Sequence, residues 1–380
     1  MSSVLGLSTA LTPLINGCAT FDDSSYDGKV LVIGAGAAGM SAGYLLNQRG
    51  IDFEILEAKS GYGGRFQVDK SFTDFPISLG AEWLHKPPST LDDILNDRSV
   101  EHEIELRPYS ANTDTYGTYI DGEYSEEPLP DYGDSKFIGS SWFDFYERYI
   151  VPSIRDKMTF NTPITRVDYS GDQVVLTDNQ GGRHTADKVI ITVPLRILQL
   201  GWVNFVPALP QDKQDAIEEA FIWSGIKIFI EFSEKFFPEF LEFSDSETQA
   251  GQRAFYSVSV GQNSSSHILG VFAVGAQAER YINQSDRARL SDVLNELDEI
   301  FAGAASRSYI KHLVQNWNDE PYAHGAYLED DAPFWISSSM ATSVDDKLYF
   351  AGTSYTSFPD WSSVHTAARS AREAVDEITG

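Results

Sequence analysis

The stretch KVLVIGAGAAG at residues 29–39 decides the fold class of this protein. It contains a short all-apolar run, which is typical of a strand covered on both faces. Gly34, Gly36 and Gly39 then follow with the spacing GxGxxG. The first glycine permits a tight turn, the second lets the backbone approach a pyrophosphate, and the third lets a helix pack on the sheet. Because this spacing alone is weak evidence, the residues around it must supply the rest of the fold.

The residues that follow complete a strand–helix–strand unit. A helix is predicted over residues 40–49, closed by Gly50, and the run FEILE at residues 53–57 is predicted as a second strand. That strand ends in Glu57, 23 residues after Gly34. A carboxylate at this distance can accept both hydroxyls of an adenosine ribose. The unit therefore predicts a dinucleotide-binding fold.

Length and charge restrict the classes of function. The chain has 380 residues, of which 42% are hydrophobic, so two intertwined domains are expected. A formal net charge of -28, from 56 acidic and 28 basic residues, argues against nucleic acid as a partner, because phosphate binding needs clustered Lys and Arg. The same charge would concentrate small cations near the protein, although solubility or a salty habitat explains it more simply.

The first residues resemble an export signal. The apolar stretch 4–15 is too short to span a bilayer, and it leads into INGC, which ends at Cys18 and resembles the lipobox of bacterial lipoproteins. We therefore predict a leader and linker over residues 1–27, with Cys18 as a candidate lipid anchor and export favoured over a cytoplasmic location. Against this, no basic residue precedes Lys29, so a leader without an address is the alternative. As the single cysteine, Cys18 excludes a thiolate cluster, and no metal site is expected.

A second segment points to a family. The run LEAKSGYGGR at residues 56–65 resembles the LEA…GGR segment of the flavin-containing amine oxidases, which include monoamine oxidases, polyamine oxidases and flavin-dependent histone demethylases. The resemblance covers most of residues 29–375 and thins at 86–135. Further matches follow in chain order: GAEWLH at 80–85, NTPITRV at 161–167, IITVPLRIL at 190–198, VPALP at 206–210, WNDEPYAHGAY at 317–327, FAGT at 350–353 and VH at 364–365.

The resemblance implies FAD as the cofactor. Arg65 would lie against pyrophosphate or flavin oxygens, and Val167 would contact the adenine. Ala326 stands where monoamine oxidases carry a flavin-linking Cys, so FAD is expected to be non-covalent. The sequence holds no second GxGxxG, which makes molecular oxygen the simplest electron acceptor. The residues implied at the cofactor are Gly34, Gly36, Gly39, Glu57, Ala58, Lys59, Gly64, Arg65, Gly80, Ala81, Glu82, Trp83, Val167, Gly352, Thr353, Ser363 and Val364.

The resemblance also implies a fold of two interleaved parts. One is a Rossmann-like α/β domain that binds FAD, and the other is a smaller α+β domain with a mixed sheet that binds the substrate. Residues 86–135 show few periodic segments and are interpreted as an excursion from the core. The predicted boundaries are 28–86, 150–222 and 328–380 for the FAD-binding domain, and 87–149 and 223–327 for the substrate domain.

Two residues are predicted beside the reacting centre. Lys227 opens the apolar strand pattern of SGIKIFIEF at 224–232, where a buried charge needs a partner. The corresponding Lys of the family holds a water against flavin N5; the alternative is a surface Lys whose stem lies along apolar groups. Tyr327 ends the W…GxY run at 317–327 and would stack beside the flavin as one wall of an aromatic slot for an amine. Its alternative is an ordinary core tyrosine.

His85 and Ser363 are predicted on the substrate side. His85 matches a His near the substrate in animal polyamine oxidases, where it would act as a base or orient a protonated amine; otherwise it is a structural residue. Ser363 stands where other members have Tyr or Thr, and it would leave the slot open for a long or bulky substrate, unless Trp361 fills the space. Departures from the family at Thr353, Thr366 and Ala371 leave the catalytic rate open, since the last two add bulk near the flavin.

These parts imply oxidation of an amine. A hydride would pass from the α-carbon of the amine to flavin N5, water would hydrolyse the imine, and oxygen would reoxidise the flavin to give hydrogen peroxide. A small cationic, polyamine-like substrate is favoured. Three alternatives stay open: an L-amino-acid oxidase, which would need an arginine such as Arg253 or Arg107 for the carboxylate; a desaturase of lipids or pigments; and a non-catalytic FAD-binding protein.

Overall fold

The computed structural model of this chain describes residues 26–130, 133–248 and 250–380. Cys18 and the rest of the predicted leader up to residue 25 lie outside the described residues, and so does the candidate lipid anchor. Within the described residues, no helix is both long and apolar enough to cross a membrane.

The described residues form the following strands and helices. The strands are β1 (Val30–Ile33), β2 (Phe53–Leu56), β3 (Val68–Asp69), β4 (Ile77–Ser78), β5 (Glu105–Pro108), β6 (Thr115–Ile120), β7 (Glu123–Pro128), β8 (Ser135–Ile138), β9 (Met158–Thr159), β10 (Ile164–Asp168), β11 (Val174–Asp178), β12 (Arg183–Ala186), β13 (Lys188–Ile191), β14 (Asn204–Val206), β15 (Gly225–Phe232), β16 (Phe240–Phe243), β17 (Glu247–Thr248), β18 (Gly251–Ser257), β19 (His267–Gly275), β20 (Tyr309–Asn316) and β21 (Leu348–Phe350). The helices are α1 (Ala37–Gln48), α2 (Thr90–Leu95), α3 (Trp142–Tyr149), α4 (Val151–Ile154), α5 (Leu195–Gln199), α6 (Gln211–Glu219), α7 (Ala276–Ile282), α8 (Asp286–Ile300), α9 (Ala304–Ser308), α10 (Phe334–Ala341) and α11 (Val364–Thr379), with a 3₁₀ turn at Arg155–Lys157.

A five-stranded parallel sheet forms the dinucleotide-binding part. Its strand order is β21-β13-β1-β2-β9, with β1 in the centre. Val30 and Val32 face a core shared with α1 and α11, while Leu31 and Ile33 face a second core shared with α10. The central strand is thus covered on both faces, as its apolar run predicts. The Rossmann-like α/β fold expected from the sequence is confirmed.

An eight-stranded mixed sheet forms the second layer, and it confirms the predicted mixed sheet. Its order is β20-β15-β19-β18-β16-β6-β7, and β17 pairs with β18. Only the β6–β16 pairing along this path is parallel. In β15, Ile226, Ile228 and Ile230 pack against α7 and α8. Alternation in a strand therefore turns Lys227 and Phe229 to the opposite face.

Two details of the sequence interpretation are corrected. Helix α1 begins at Ala37 and not at residue 40, where the sequence predicted its start, so Gly39 lies inside its first turn. Residues 86–135 hold three strands and a helix, and β6 and β7 extend the mixed sheet as an edge hairpin. The hairpin turns at Asp121 and Gly122, which both have φ near the left-handed region (53° and 82°). An Asp-Gly pair between two strands predicts a hairpin. The sequence did not reveal this one because its outer strand, EYSEEP, is almost wholly polar and so does not read as a strand.

Gly39 should tolerate a side chain poorly. A Cβ at Gly39 would lie 1.9 Å from the carbonyl oxygen of Gly34, so helix or turn must move. We expect Gly39→Ala to lower the free energy of unfolding by about 1–3 kcal/mol, the cost of an overpacked site. The control is Gly61→Ala, because Gly61 has no atom within 4 Å of its added Cβ and no positive φ. Denaturant unfolding that finds the two variants equally stable would contradict the packing role of Gly39.

Candidate active site

A large cavity lies at the carboxyl end of the parallel sheet and reaches the mixed sheet. Its volume is about 1130 Å³, whereas small-molecule sites usually enclose about 300–1,000 Å³. The lining runs from the glycine turn at Gly34 to Lys227 and Phe272 in the mixed sheet. The cavity therefore has room for a dinucleotide and a second small molecule together.

The glycine turn forms an open cradle of backbone at one end of the cavity. An added Cβ on Gly36 would meet only the Cα of Gly64, at 3.9 Å, and Gly64 itself has a φ of 53°. The carboxylate of Glu57 lies beside this cradle. It accepts one hydrogen bond from the N–H of Ala35 (2.6 Å) and one from the N–H of Lys59 (2.8 Å). Burial raises the pKa of Glu57. Each carboxylate oxygen keeps a further lone pair, which fits a ribose hydroxyl.

Arg65 joins three segments of the lining. Its guanidinium donates to the carbonyl of Ala326 and to the hydroxyl of Thr353, the latter over 3.3 Å. Burial lowers the pKa of Arg65, although a guanidinium stays charged in proteins. Gly80 packs directly on this residue, since an added Cβ there would lie 1.8 Å from the Arg65 carbonyl oxygen. A fixed positive charge at this place fits the oxygens of a pyrophosphate or a flavin.

Lys227 is buried on the face of β15 that turns toward the cavity. Its Nζ donates to Oε2 of Glu82 over 2.8 Å and lies 3.4 Å from the carbonyl oxygen of Ser78. The ammonium also lies 5.0 Å from the centre of the Trp83 ring. Burial lowers the pKa of Lys227, and the neighbouring carboxylate opposes that change. The expected partner of this charge is therefore Glu82, and Lys227 is not a surface residue.

Glu82 has two further partners. Lys136 of β8 places its Nζ 3.3 Å from Oε1, and the hydroxyl of Tyr256 donates to Oε2 over 2.6 Å. Although burial opposes ionisation, the two ammonium groups hold the pKa of the Glu82 carboxyl below its usual value. Lys136 itself is buried and does not line the cavity.

Aromatic and polar side chains form the substrate end. Tyr327 lines the cavity, its ring centre lies 5.8 Å from that of Trp223, and burial raises its pKa. His85 lies at the mouth, and its Nδ1 lies 2.9 Å from Oδ2 of Asp134. Trp361 lines the mouth as well and is 62% exposed. It does not fill the space beside Ser363 as a buried side chain would.

The hydroxyl of Ser363 is engaged in a helix cap. It accepts from the N–H of Thr366 at the start of α11 and lies 2.7 Å from Nδ1 of His365. Burial lowers the pKa of His365 to about 4, so its ring is neutral near neutral pH. Thr366 and Ala371 are fully buried and do not line the cavity. The bulk that they add is absorbed in the packing of α11.

The structure gathers nearly all of the predicted site residues around this one cavity. Gly39 and Val167 are the exceptions. Gly39 faces the Gly34 carbonyl from the first turn of α1, as its packing role requires. Val167 is buried in β10, which belongs to a four-stranded sheet of order β12-β11-β10-β14, and the lining there comes from residues 163–165 instead. The side chain of Val167 is fully buried in the core that also contains Leu31 and Leu176. The pairing of β10 with β11 is irregular between Ile164 and Arg166, so Val167 does not share the face of Thr165. The other residues named for the cofactor or for catalysis line the cavity, and their roles remain predictions.

Several lining or supporting residues were missed by sequence reasoning. Asp134, Glu242 and Asp330 line the cavity, and Lys136 supports it. Lys136 carries the same signal as Lys227, a lysine inside a short strand pattern (SKFI), but it directly follows the segment 86–135 that was interpreted as an excursion. Among the described residues, no group of three His, Cys, Asp or Glu side chains could hold a metal ion.

Curated relatives extend over most of the chain. Polyamine oxidase 3 of Oryza sativa subsp. japonica is 25% identical, over 93% of this chain and 89% of its own length. Lysine-specific histone demethylase 1B of Mus musculus is 24% identical over 85% of this chain. The match spans half the length of that demethylase.

Solved structures share the fold. An engineered putrescine oxidase superposes with a TM-score of 0.77 at 14% identity, covering 93% of this chain and 98% of the other. Cyclohexylamine oxidase from Brevibacterium oxydans gives 0.77 at 15% identity, covering 93% and 99%.

Family matches cover both parts of the site. Residues 32–97 match the NAD(P)-binding Rossmann-like domain, and residues 144–379 match the flavin containing amine oxidoreductases. Because the second match covers more than half of the chain, this protein belongs to the family of flavin-containing amine oxidoreductases.

Proposed function

We propose that this protein is an FAD-dependent amine oxidase that acts on a cationic, polyamine-like substrate, holds FAD without a covalent bond and uses molecular oxygen as the acceptor. The flavin, when bound, supplies the acceptor for a hydride from the α-carbon of the amine, and water then hydrolyses the resulting imine. The division into FAD-binding and substrate-binding domains at the boundaries predicted from the sequence is part of this proposal.

The observation that carries the proposal is the buried ammonium of Lys227 in the same cavity as the glycine cradle. Only two acceptors lie within reach of its three N–H groups among the described residues, the Glu82 carboxylate and the Ser78 carbonyl. One N–H is therefore free to hold a water in the cavity. Tyr327 lines the same end and offers an aromatic wall for an amine.

Acidic side chains in the lining of the cavity favour a cation. Asp134, Glu242 and Asp330 line the cavity, and their carboxylates attract an ammonium group. In the pair of His85 with Asp134, the carboxylate accepts from Nδ1–H, so Nε2 of a neutral ring is left as an acceptor. His85 could therefore take the proton of a substrate ammonium, which gives the neutral amine needed for hydride loss. The names of the rice polyamine oxidase and of the putrescine oxidase agree with such a substrate.

The contacts of the arginines speak against an amino acid as substrate. Arg253 lines the cavity, but its guanidinium is bound by Asp245 (2.6 Å) and Glu296 (3.0 Å). Arg107 pairs with Asp114 over 2.5 Å and does not line the cavity. A substrate carboxylate would have to displace one of these carboxylates. The charged side chains in the cavity lining likewise disfavour an apolar lipid or pigment.

Glu57 should be required for retention of FAD. We expect Glu57→Ala to yield protein with much less bound FAD, because the ribose loses its acceptor and the N–H groups of Ala35 and Lys59 lose theirs. Glu54→Ala is the matched control, since Glu54 lies on the same strand and does not line the cavity. The measurement is the flavin absorbance per protein after gel filtration. Equal flavin content in Glu57→Ala and the parent would refute the ribose assignment.

Lys227→Met should keep the FAD and slow the chemistry. Methionine fills the space of the stem but removes the charge, and loss of one such contact typically costs about 2.7–4 kcal/mol, or roughly a hundred- to a thousandfold in rate. Rapid mixing would follow flavin reduction by the amine and reoxidation by oxygen separately. Lys213→Met is the control, because Lys213 is equally buried but lies outside the cavity. Parental rates of both half-reactions in Lys227→Met would remove Lys227 from the mechanism.

Polyamines should be better substrates than small aromatic monoamines. The acidic lining and the small Ser363 favour a long cation, so spermidine should exceed benzylamine in kcat/KM. Added salt should raise the KM of the polycation more than that of the monocation, because screening weakens each charge contact. A higher kcat/KM for benzylamine would refute the preference. An anaerobic titration with polyamines, monoamines and amino acids tests the proposed function itself: only amines should bleach the flavin.

A further inference from the structure

The carboxylate of Glu82 is held between two buried lysines. Its Oε2 lies 2.8 Å from the Nζ of Lys227, and its Oε1 lies 3.3 Å from the Nζ of Lys136. All three residues are at most 6% exposed. A two-way backbone pairing of Leu84 with Ser135, over 2.9 and 3.0 Å, joins the loop that carries Glu82 to the strand that carries Lys136. The cluster therefore rests on the fold and not on flexible surface contacts.

The two lysines differ in how their N–H groups are used. Lys136 has three acceptors for its three N–H groups: Glu82 and the carbonyl oxygens of Ser257 (3.1 Å) and Val258 (2.6 Å). Lys227 has two, as described above, and it alone of the pair lines the cavity. Lys136 thus anchors Glu82 and uses all three of its N–H groups, whereas Lys227 has one N–H group left to bind a molecule in the cavity.

The cluster carries two positive charges and one negative charge in the interior. Tyr256 donates its hydroxyl to Glu82 and adds no charge. The other titratable groups nearby are Tyr109, whose hydroxyl accepts from Trp83, and Arg107, which is already paired with Asp114. Glu82 is therefore the counter-charge for both ammonium groups. Without it, Lys227 would lose its proton much more readily, because burial disfavours the charged form.

We propose that Glu82, anchored by Lys136, is a positioning residue that keeps Lys227 charged and holds its one unused N–H group toward the flavin end of the cavity. The expected effect on the rate rests on the proposed function. The charge cluster itself can be tested without any enzymatic activity. Glu82 is then not merely part of the cofactor-binding loop, and Lys136 contributes to catalysis although it contacts neither substrate nor cofactor.

The kinetic test compares Glu82→Gln with the parent across pH. Glutamine keeps the shape but removes the charge, so the pKa of Lys227 falls and its ammonium is lost at lower pH. We expect the alkaline limb of the pH–rate profile for anaerobic flavin reduction by spermidine to move to lower pH. At a fixed pH on that limb, the rate should fall about tenfold for each pH unit by which the limb moves. In a Lys227→Met background, Glu82→Gln should cause no such displacement. Glu239→Gln is the matched control, since Glu239 is just as buried, pairs with Lys235 and does not line the cavity.

The second test uses protein freed of flavin and needs no activity. Burial lowers the pKa of both lysines below that of an unfolded lysine, and loss of Glu82 lowers it further. The unfolded chain then binds more protons than the folded one, so stability rises with pH. The free energy of unfolding of Glu82→Gln should thus be lower than that of the parent near neutral pH. The difference should shrink as the pH approaches the pKa of an unfolded lysine. Adding Lys136→Met removes one unpaired ammonium and should restore part of the deficit.

The outcomes separate the two proposals. If no amine reduces the flavin of the parent, the proposed function fails, and the unfolding measurements still decide the cluster. A uniform loss of rate in Glu82→Gln, with an unchanged pH profile, would mean a structural role only and would overturn the positioning role. A stability deficit that does not depend on pH would overturn the inference as well. Should Glu82→Gln fail to fold, the Glu82→Gln/Lys136→Met double variant is measured in its place, with the same expected pH dependence for the remaining lysine.

Discussion

The contact of backbone with backbone at the glycine turn is the constraint on which the cavity depends. Helix α1 starts so close to strand β1 that a side chain at Gly39 would overlap the Gly34 carbonyl, and Gly64 faces Gly36 across the turn. Strand β1 is the central strand of the parallel sheet, so this turn sets the edge from which the loops after β13 and β21 reach the cavity. The wall at this end is consequently built of N–H groups and a helix start, which is the surface that a pyrophosphate needs.

The buried cations of this protein contrast with the acidic composition of the chain as a whole. The chain carries twice as many acidic as basic residues, yet several of its few cations are half-buried or buried, at Arg65, Lys136, Lys227 and Arg253. Carboxylates bind the last three and backbone carbonyls help, because an unpaired buried charge is too costly to keep. Where one N–H group stays free, at Lys227, it lies in the cavity. Lys227 thereby differs from Lys136, which has an acceptor for each of its three N–H groups and does not line the cavity.

Prediction from sequence succeeded where the signal is local. Glycine spacing, an apolar strand and a carboxylate at its end lie within 29 residues, 29–57, so the Rossmann-like unit could be recognised and its helix misplaced by only one turn. The hairpin of β6 and β7 failed because an edge strand with a polar outer face lacks alternation. Lys227 was found because a charge inside an apolar strand is conspicuous. Its partner Glu82 is 145 residues away, and no local pattern links the two.

The sequence by itself determined the parallel sheet, the glycine turn and the presence of a charged residue in a buried strand, because these follow from the period of side chains and from steric limits on neighbouring residues. Only the tertiary structure decided which face of β15 meets the cavity and that Lys136 shares Glu82 with Lys227. It also decided that Arg253 is already neutralised and that Val167 points into a core. Each of these depends on segments distant in sequence being brought within about 3 Å, the range in which hydrogen bonds and ion pairs act.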